Sequence, residues 1–89
     1  MSDDSPDPAD FVVAEMNTHH FMFRGAGHSK AAARSALLAA WTQHRDRLLE
    51  QYPERKDTVP EADRMEEHFR IYYLEFRVGA GYRDGMRLV

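Results

Sequence analysis

The residues best suited to chemistry gather in Arg24-Gly25-Ala26-Gly27-His28-Ser29-Lys30, with Arg34 one helical turn further on. Glycines leading into a helix are the parts of an anion cradle, because free backbone N–H groups and the positive end of a helix favour phosphate or carboxylate. The spacing is neither that of a Walker loop nor the six-residue dinucleotide fingerprint. A strand-to-helix turn that needs glycine for positive φ is the plainer account and takes precedence. A related run, Phe76-Arg77-Val78-Gly79-Ala80-Gly81-Tyr82-Arg83, returns near the end of the chain. If the two runs share one edge of the fold, their cations form one site. If they lie at opposite ends, that site dissolves.

Five histidines raise the question of a metal. His19 and His20 are adjacent, so on a strand they face opposite ways. No HExxH or HxH spacing occurs, and no cysteine is present to supply a thiolate. Neither a metal nor a cofactor is expected. His44 falls on an apolar helix stripe and reads as a packing residue. For catalysis, His28 and Ser29 are only sequence neighbours, and Glu15 with Glu75 would make a carboxylate pair only on adjacent strands. A small anion-binding enzyme therefore ranks below the two binding functions considered next.

The elements that must position these groups read as follows. Phe11 to Arg24 is rich in β-formers and is taken as one bent or bulged strand, with a hairpin turning near Asn17-Thr18 as the competing arrangement. Ser29 is the N-cap candidate for a long helix that Pro53 ends. Ala33, Leu37, Trp41, His44, Leu48 and Tyr52 fall on one stripe of that helix. At about 34 Å it is longer than a small sheet, so its C-terminal turns either project or meet a second helix. Thr58 and Glu61 fit a capping box for a short helix that turns Ala62, Met65 and Phe69 inward. Arg70 to Val78 reads as a strand with Tyr72, Leu74, Phe76 and Val78 on the core face. Ile71, Tyr73, Glu75 and Arg77 fall on the other. Asp84-Gly85 marks a turn, and Met86 to Val89 can pair back as a last strand. The order is β-α-α-β-β: an α+β fold with a single-layer sheet of three to four strands and one long and one short helix on one face.

Composition bounds the function. Eighty-nine residues make one domain, expected over 11–89 behind a disordered acidic leader at 1–10. That leader holds four aspartates and no base, while the rest of the chain carries eleven acids against twelve bases, ten of them arginine. The absence of cysteine favours a cytoplasmic setting over a disulfide-stapled extracellular one. No apolar run approaches the ~20 residues of a membrane span. Basic residues interleave with aromatics at both ends of the folded region, as in a single-strand nucleic-acid platform. However, the sequence pI is about 5.9 and eight acids crowd 46–67.

The leading expectation is a small non-enzymatic accessory or regulatory protein, of the kind phages or plasmids carry, that binds another protein. It would act through the sheet face the helices leave uncovered, together with the two glycine runs. The residues proposed for that surface are Arg24, Lys30, Tyr73, Arg77, Tyr82 and Arg83. Self-pairing through the sheet face or an edge strand would make it a homodimer. Nucleic acid is the alternative partner.

Overall fold

The computed structural model describes residues 10–83 and 86–89. The acidic leader ahead of Asp10 and the Asp84-Gly85 turn lie outside the described residues. Among those described, the fold is α+β. A hairpin of β1 (Phe11–Asn17) and β2 (Met22–Gly27) leads into α1 (Lys30–Gln51). A short helical segment follows, ending in α2 (Met65–His68), and then β3 (Ile71–Phe76). The three strands form one antiparallel sheet in the order β2-β1-β3. A separate two-stranded ribbon of β4 (Tyr82–Arg83) and β5 (Met86–Arg87) completes the chain. The last residues thus pair back as expected, although outside the main sheet.

The first segment is a hairpin and not one bent strand, and Thr18 is the physical reason. Its backbone N–H donates to the Phe21 carbonyl at 2.8 Å. Its hydroxyl also donates to that carbonyl at 2.9 Å and accepts from the Phe21 N–H at 3.1 Å. Side-chain bonding of this kind closes a tight turn without the usual Asn-Gly pair. His19 and His20 occupy the turn, so the strand geometry assumed for them does not apply.

The hairpin makes β2 run parallel to β3 with β1 between them, so α1 is the crossover of a split β-α-β unit. α1 packs mainly across β2 and β1. Ser29 caps it as expected, its hydroxyl accepting from the Ala32 N–H at 3.1 Å. Ala33, Leu37 and Trp41 are buried against Val12, Ala14 and Met16. The stripe loses cover after Trp41, and Tyr52 at its end is 42% exposed. The C-terminal turns therefore run past the sheet. Trp41 is fixed at both ends of its ring: Phe23 packs edge-on at 5.4 Å, and Nε1–H donates to the Pro60 carbonyl at 2.9 Å. His44 packs among the rings of Phe21, Phe23 and Trp41.

The expected capping box does not form. The segment opens as a 3₁₀ turn at Ala62–Arg64 with no side-chain cap, and the Thr58 hydroxyl donates instead to the Arg55 carbonyl. Met65 is nonetheless fully buried, with Ala62 and Phe69 packed against the core. Each large core side chain withdrawn from water contributes about 1.5–3 kcal/mol. No helix among the described residues is long and apolar enough to cross a membrane.

Candidate functional site

The glycines of the first run do not form a turn. Gly25 and Gly27 are strand residues paired with Ala14 and Val12, and neither has positive φ. A Cβ on Gly25 would lie 2.2 Å from the Leu37 backbone nitrogen and 2.4 Å from the Ala33 carbonyl oxygen. A Cβ on Gly27 would lie 2.6 Å from the Ala32 Cβ. α1 therefore lies directly against both glycines. Both readings of this run, cradle and positive-φ turn, give way to a third: glycine lets the helix backbone rest on the strand. In the second run Gly79 does have positive φ, at 83°.

The two runs nevertheless lie at the same end of the sheet, because Gly27 pairs with Val12 and Phe76 with Phe11. Asp10 sits between them. Its N–H donates to the Phe76 carbonyl, its carboxylate accepts from the Val78 N–H at 2.5 Å, and its carbonyl oxygen is 3.1 Å from His28 Nδ1. The cations of the two runs do not converge there. Arg24 is on the face away from α1, paired with Glu15 at 3.0 Å. Lys30 is on the helix side, with Nζ 5.8 Å from the centre of the Tyr73 ring. Arg77 follows β3 and donates its backbone N–H to the Tyr82 hydroxyl at 2.9 Å. The Tyr82 ring packs edge-on against Phe76 at 5.1 Å, and Arg83 is exposed on β4. Of the six residues proposed from sequence, the structure joins Lys30 to Tyr73 and Arg77 to Tyr82.

The face of the sheet away from α1 is the one the helices leave open. Register assigns its members. Ala14 and Met16 are buried under α1, and Tyr73 and Ile71 stand beside them. Glu15, Val13 and Phe11 face the other way, beside Tyr72, Leu74 and Phe76. This reverses the assignment made for β3: Ile71 and Tyr73 belong to the core side, and the Tyr72 row is open. Phe11 stacks on Phe76 at 5.3 Å, and Tyr82 extends the aromatic row. Phe11, Met22 and Tyr72 are 38, 47 and 52% exposed. Arg70 lies 5.8 Å from the Tyr72 ring centre. Phe11, Arg70, Tyr72 and Phe76 are not among those six; alternation along β3 aligns Arg70, Tyr72 and Phe76, and the pairing of β1 with β3 adds Phe11.

The other chemical groupings fall apart. Glu15 faces the open side and Glu75 the helix side, so they form no carboxylate pair. The Ser29 hydroxyl is engaged as the helix cap and His28 by Asp10. Beyond the opposite end of the sheet, a groove of about 750 Å³ runs between His19, Asp57, Arg64 and His68. Arg64 is ion-paired there with Glu67 at 3.5 Å. Among the described residues no group of three or more His, Asp or Glu side chains is placed to hold a metal ion. No family model, curated protein or solved structure matches this chain.

Proposed function

We propose that the protein acts by binding another protein through the open face of its sheet. The observation that carries this is the aromatic row Phe11, Phe76 and Tyr82, continued by Val13, Leu74 and Tyr72, on a face that no helix among the described residues covers. Apolar and aromatic side chains grouped on one face are the usual core of a protein interface. The charges around them indicate the partner's chemistry. Arg24 is neutralised by Glu15, whereas Arg70 lies over Tyr72 with no carboxylate paired to it among the described residues. The fitting partner presents an apolar patch rimmed by carboxylates. Arginine beside an exposed tyrosine is a common interface anchor.

The test is a photo-crosslinking residue placed at Tyr72 on the open face, or at Gln43 on the exposed side of α1. Cells of the native host are irradiated and the adducts identified by mass spectrometry. One protein should crosslink from position 72 and not from 43. With that protein purified, Tyr72→Ala should weaken binding roughly tenfold or more, the range of a buried aromatic anchor. Equal crosslinking from both positions would remove the proposal. Adducts to nucleic acid, with affinity falling steeply as salt rises, would replace it by the nucleic-acid reading.

A further inference from the structure

The outer edge of β3 points to a second interaction surface. Among the described residues β3 is an edge strand, with β1 on one side and no strand on the other. Phe76 turns its carbonyl to the β1 side, where it accepts from the Asp10 N–H. By strand alternation the peptide groups of Ile71, Tyr73 and Glu75 face outward. The same alternation turns the Arg77 N–H outward, and there the Tyr82 hydroxyl accepts it. The open stretch therefore has a defined end. β3 holds no proline or lysine, and Glu75 is its single charge, so little blunts this edge. The opposite edge differs: β2 carries Gly25 and Gly27 and has α1 packed on it.

We infer that two copies of the chain pair through this edge, β3 against β3, antiparallel about a two-fold axis at Tyr73. This goes beyond the open-face reading and does not depend on it. The register follows from three requirements. A two-fold perpendicular to the sheet keeps like faces together. Centring it on Tyr73 uses all three outward positions, with Ile71 opposite the second copy's Glu75 and Tyr73 opposite its counterpart. No like charges then stand directly opposite, the arrangement that would destabilise a strand pair. Tyr72 meets the second copy's Leu74 on the open face, and Arg70 meets its Phe76. On the helix side Glu75 lies diagonal to the second copy's Tyr73, and so near the Lys30 above that ring. Because α1 packs mainly on β2 and β1, what it brings over the shared edge is the Lys30 side chain above Tyr73. The product is a six-stranded sheet whose two open faces are continuous. A single strand pair buries less than the ~800 Å² per partner of a standard interface, so the association should be reversible and micromolar.

Sedimentation equilibrium on the full chain, from micromolar to millimolar concentration, should show mass rising from 10.3 kDa to twice that value. Glu75→Pro removes one outward N–H at a position where an edge strand tolerates proline. It should keep the far-ultraviolet spectrum and raise the dissociation constant roughly tenfold or more, since two ladder bonds are lost. The absence of native cysteine allows a second test that keeps the edge backbone intact. Tyr72→Cys and Leu74→Cys chains mixed under mild oxidation should form a mixed disulfide in preference to either self-disulfide. A monomer at all concentrations overturns the inference. So does a dimer that a folded Glu75→Pro chain leaves unchanged, or equal yields of mixed and self-disulfides.

Discussion

Replacing Gly25 by alanine tests the central packing of this fold. The new Cβ would stand 2.2 Å from the Leu37 nitrogen, 2.4 Å from the Ala33 oxygen and 2.8 Å from the Ala36 carbonyl carbon, all backbone atoms of α1. No rotamer change can move them. Ordinary contact begins near 3.4 Å, so α1 must lift from β2 by about 1 Å. A gap of that size forfeits a quarter to a half of the dispersion energy of the atoms it separates. Those atoms include Ala33, Leu37 and Trp41 packed over Val12, Ala14 and Met16. Overpacking a core costs about 1–3 kcal/mol where side chains can yield, and here none can. The expected loss is about 3 kcal/mol or more, against the ~5–15 kcal/mol total of a typical domain. For a chain of this size that corresponds to a fall in Tm of roughly 12–24 °C.

Trp41 is the chain's single tryptophan and is 6% exposed, so its fluorescence reports urea unfolding directly. Two controls separate packing from backbone conformation. Asparagine tolerates positive φ better than alanine. If Gly25 were needed for a turn, Gly25→Asn would recover stability relative to Gly25→Ala. Because the obstacle is the helix backbone, Gly25→Asn should be at least as damaging. Gly79, with φ of 83° and nothing within 4 Å of where a Cβ would stand, should behave in the opposite way. There alanine costs about 1–2 kcal/mol of backbone strain and asparagine less. A Gly25→Ala chain that loses less than about 1 kcal/mol, below the overpacking range, or one rescued by asparagine, would refute the close-packing account.

Two further outcomes follow from the same contacts. Met65→Ala should destabilise by about 2–5 kcal/mol in urea titrations, because the side chain is fully buried although its helix is only four residues long. Ser29→Ala should cost about 1 kcal/mol by circular-dichroism melting, since it frees the Ala32 N–H; Ser29→Asp should retain most of the stability, and a similar loss for both would argue against the cap.

The long helix was legible because its signals are local. A serine cap, a run of alanines, an apolar stripe through Trp41 and a terminal proline each act within a turn or two of where they stand. Met65 and Phe69 were legible by periodicity, even though the capping box that accompanied them was not used. The hairpin was hidden because Thr18 closes it through a hydroxyl, a weaker sequence signal than Asn-Gly. The glycines are ambiguous in sequence for a related reason. A glycine that admits a neighbouring backbone looks, in sequence, like one that adopts positive φ. Only the position of α1 separates Gly25 from Gly79.

The open face depended on register, which no local signal carried. Both faces of β3 are rich in apolar and aromatic residues, Ile71 and Tyr73 on one, Tyr72, Leu74 and Phe76 on the other. A shift of one residue against β1 would exchange them. What breaks the tie is β1, where Val12, Ala14 and Met16 alternate with Phe11, Val13 and Glu15. Glu15 is the informative member: a carboxylate cannot go under α1 without a partner, and on the open side it meets Arg24. That one charge orients β1, and through the ladder it turns Tyr73 inward and Tyr72 outward. Once β1 is oriented, its position between β2 and β3 leaves the outer side of β3 without a strand partner among the described residues. The face proposed for partner binding and the edge proposed for self-pairing therefore follow from the same strand placement. They remain separable, because one is made of side chains perpendicular to the sheet and the other of peptide groups in its plane.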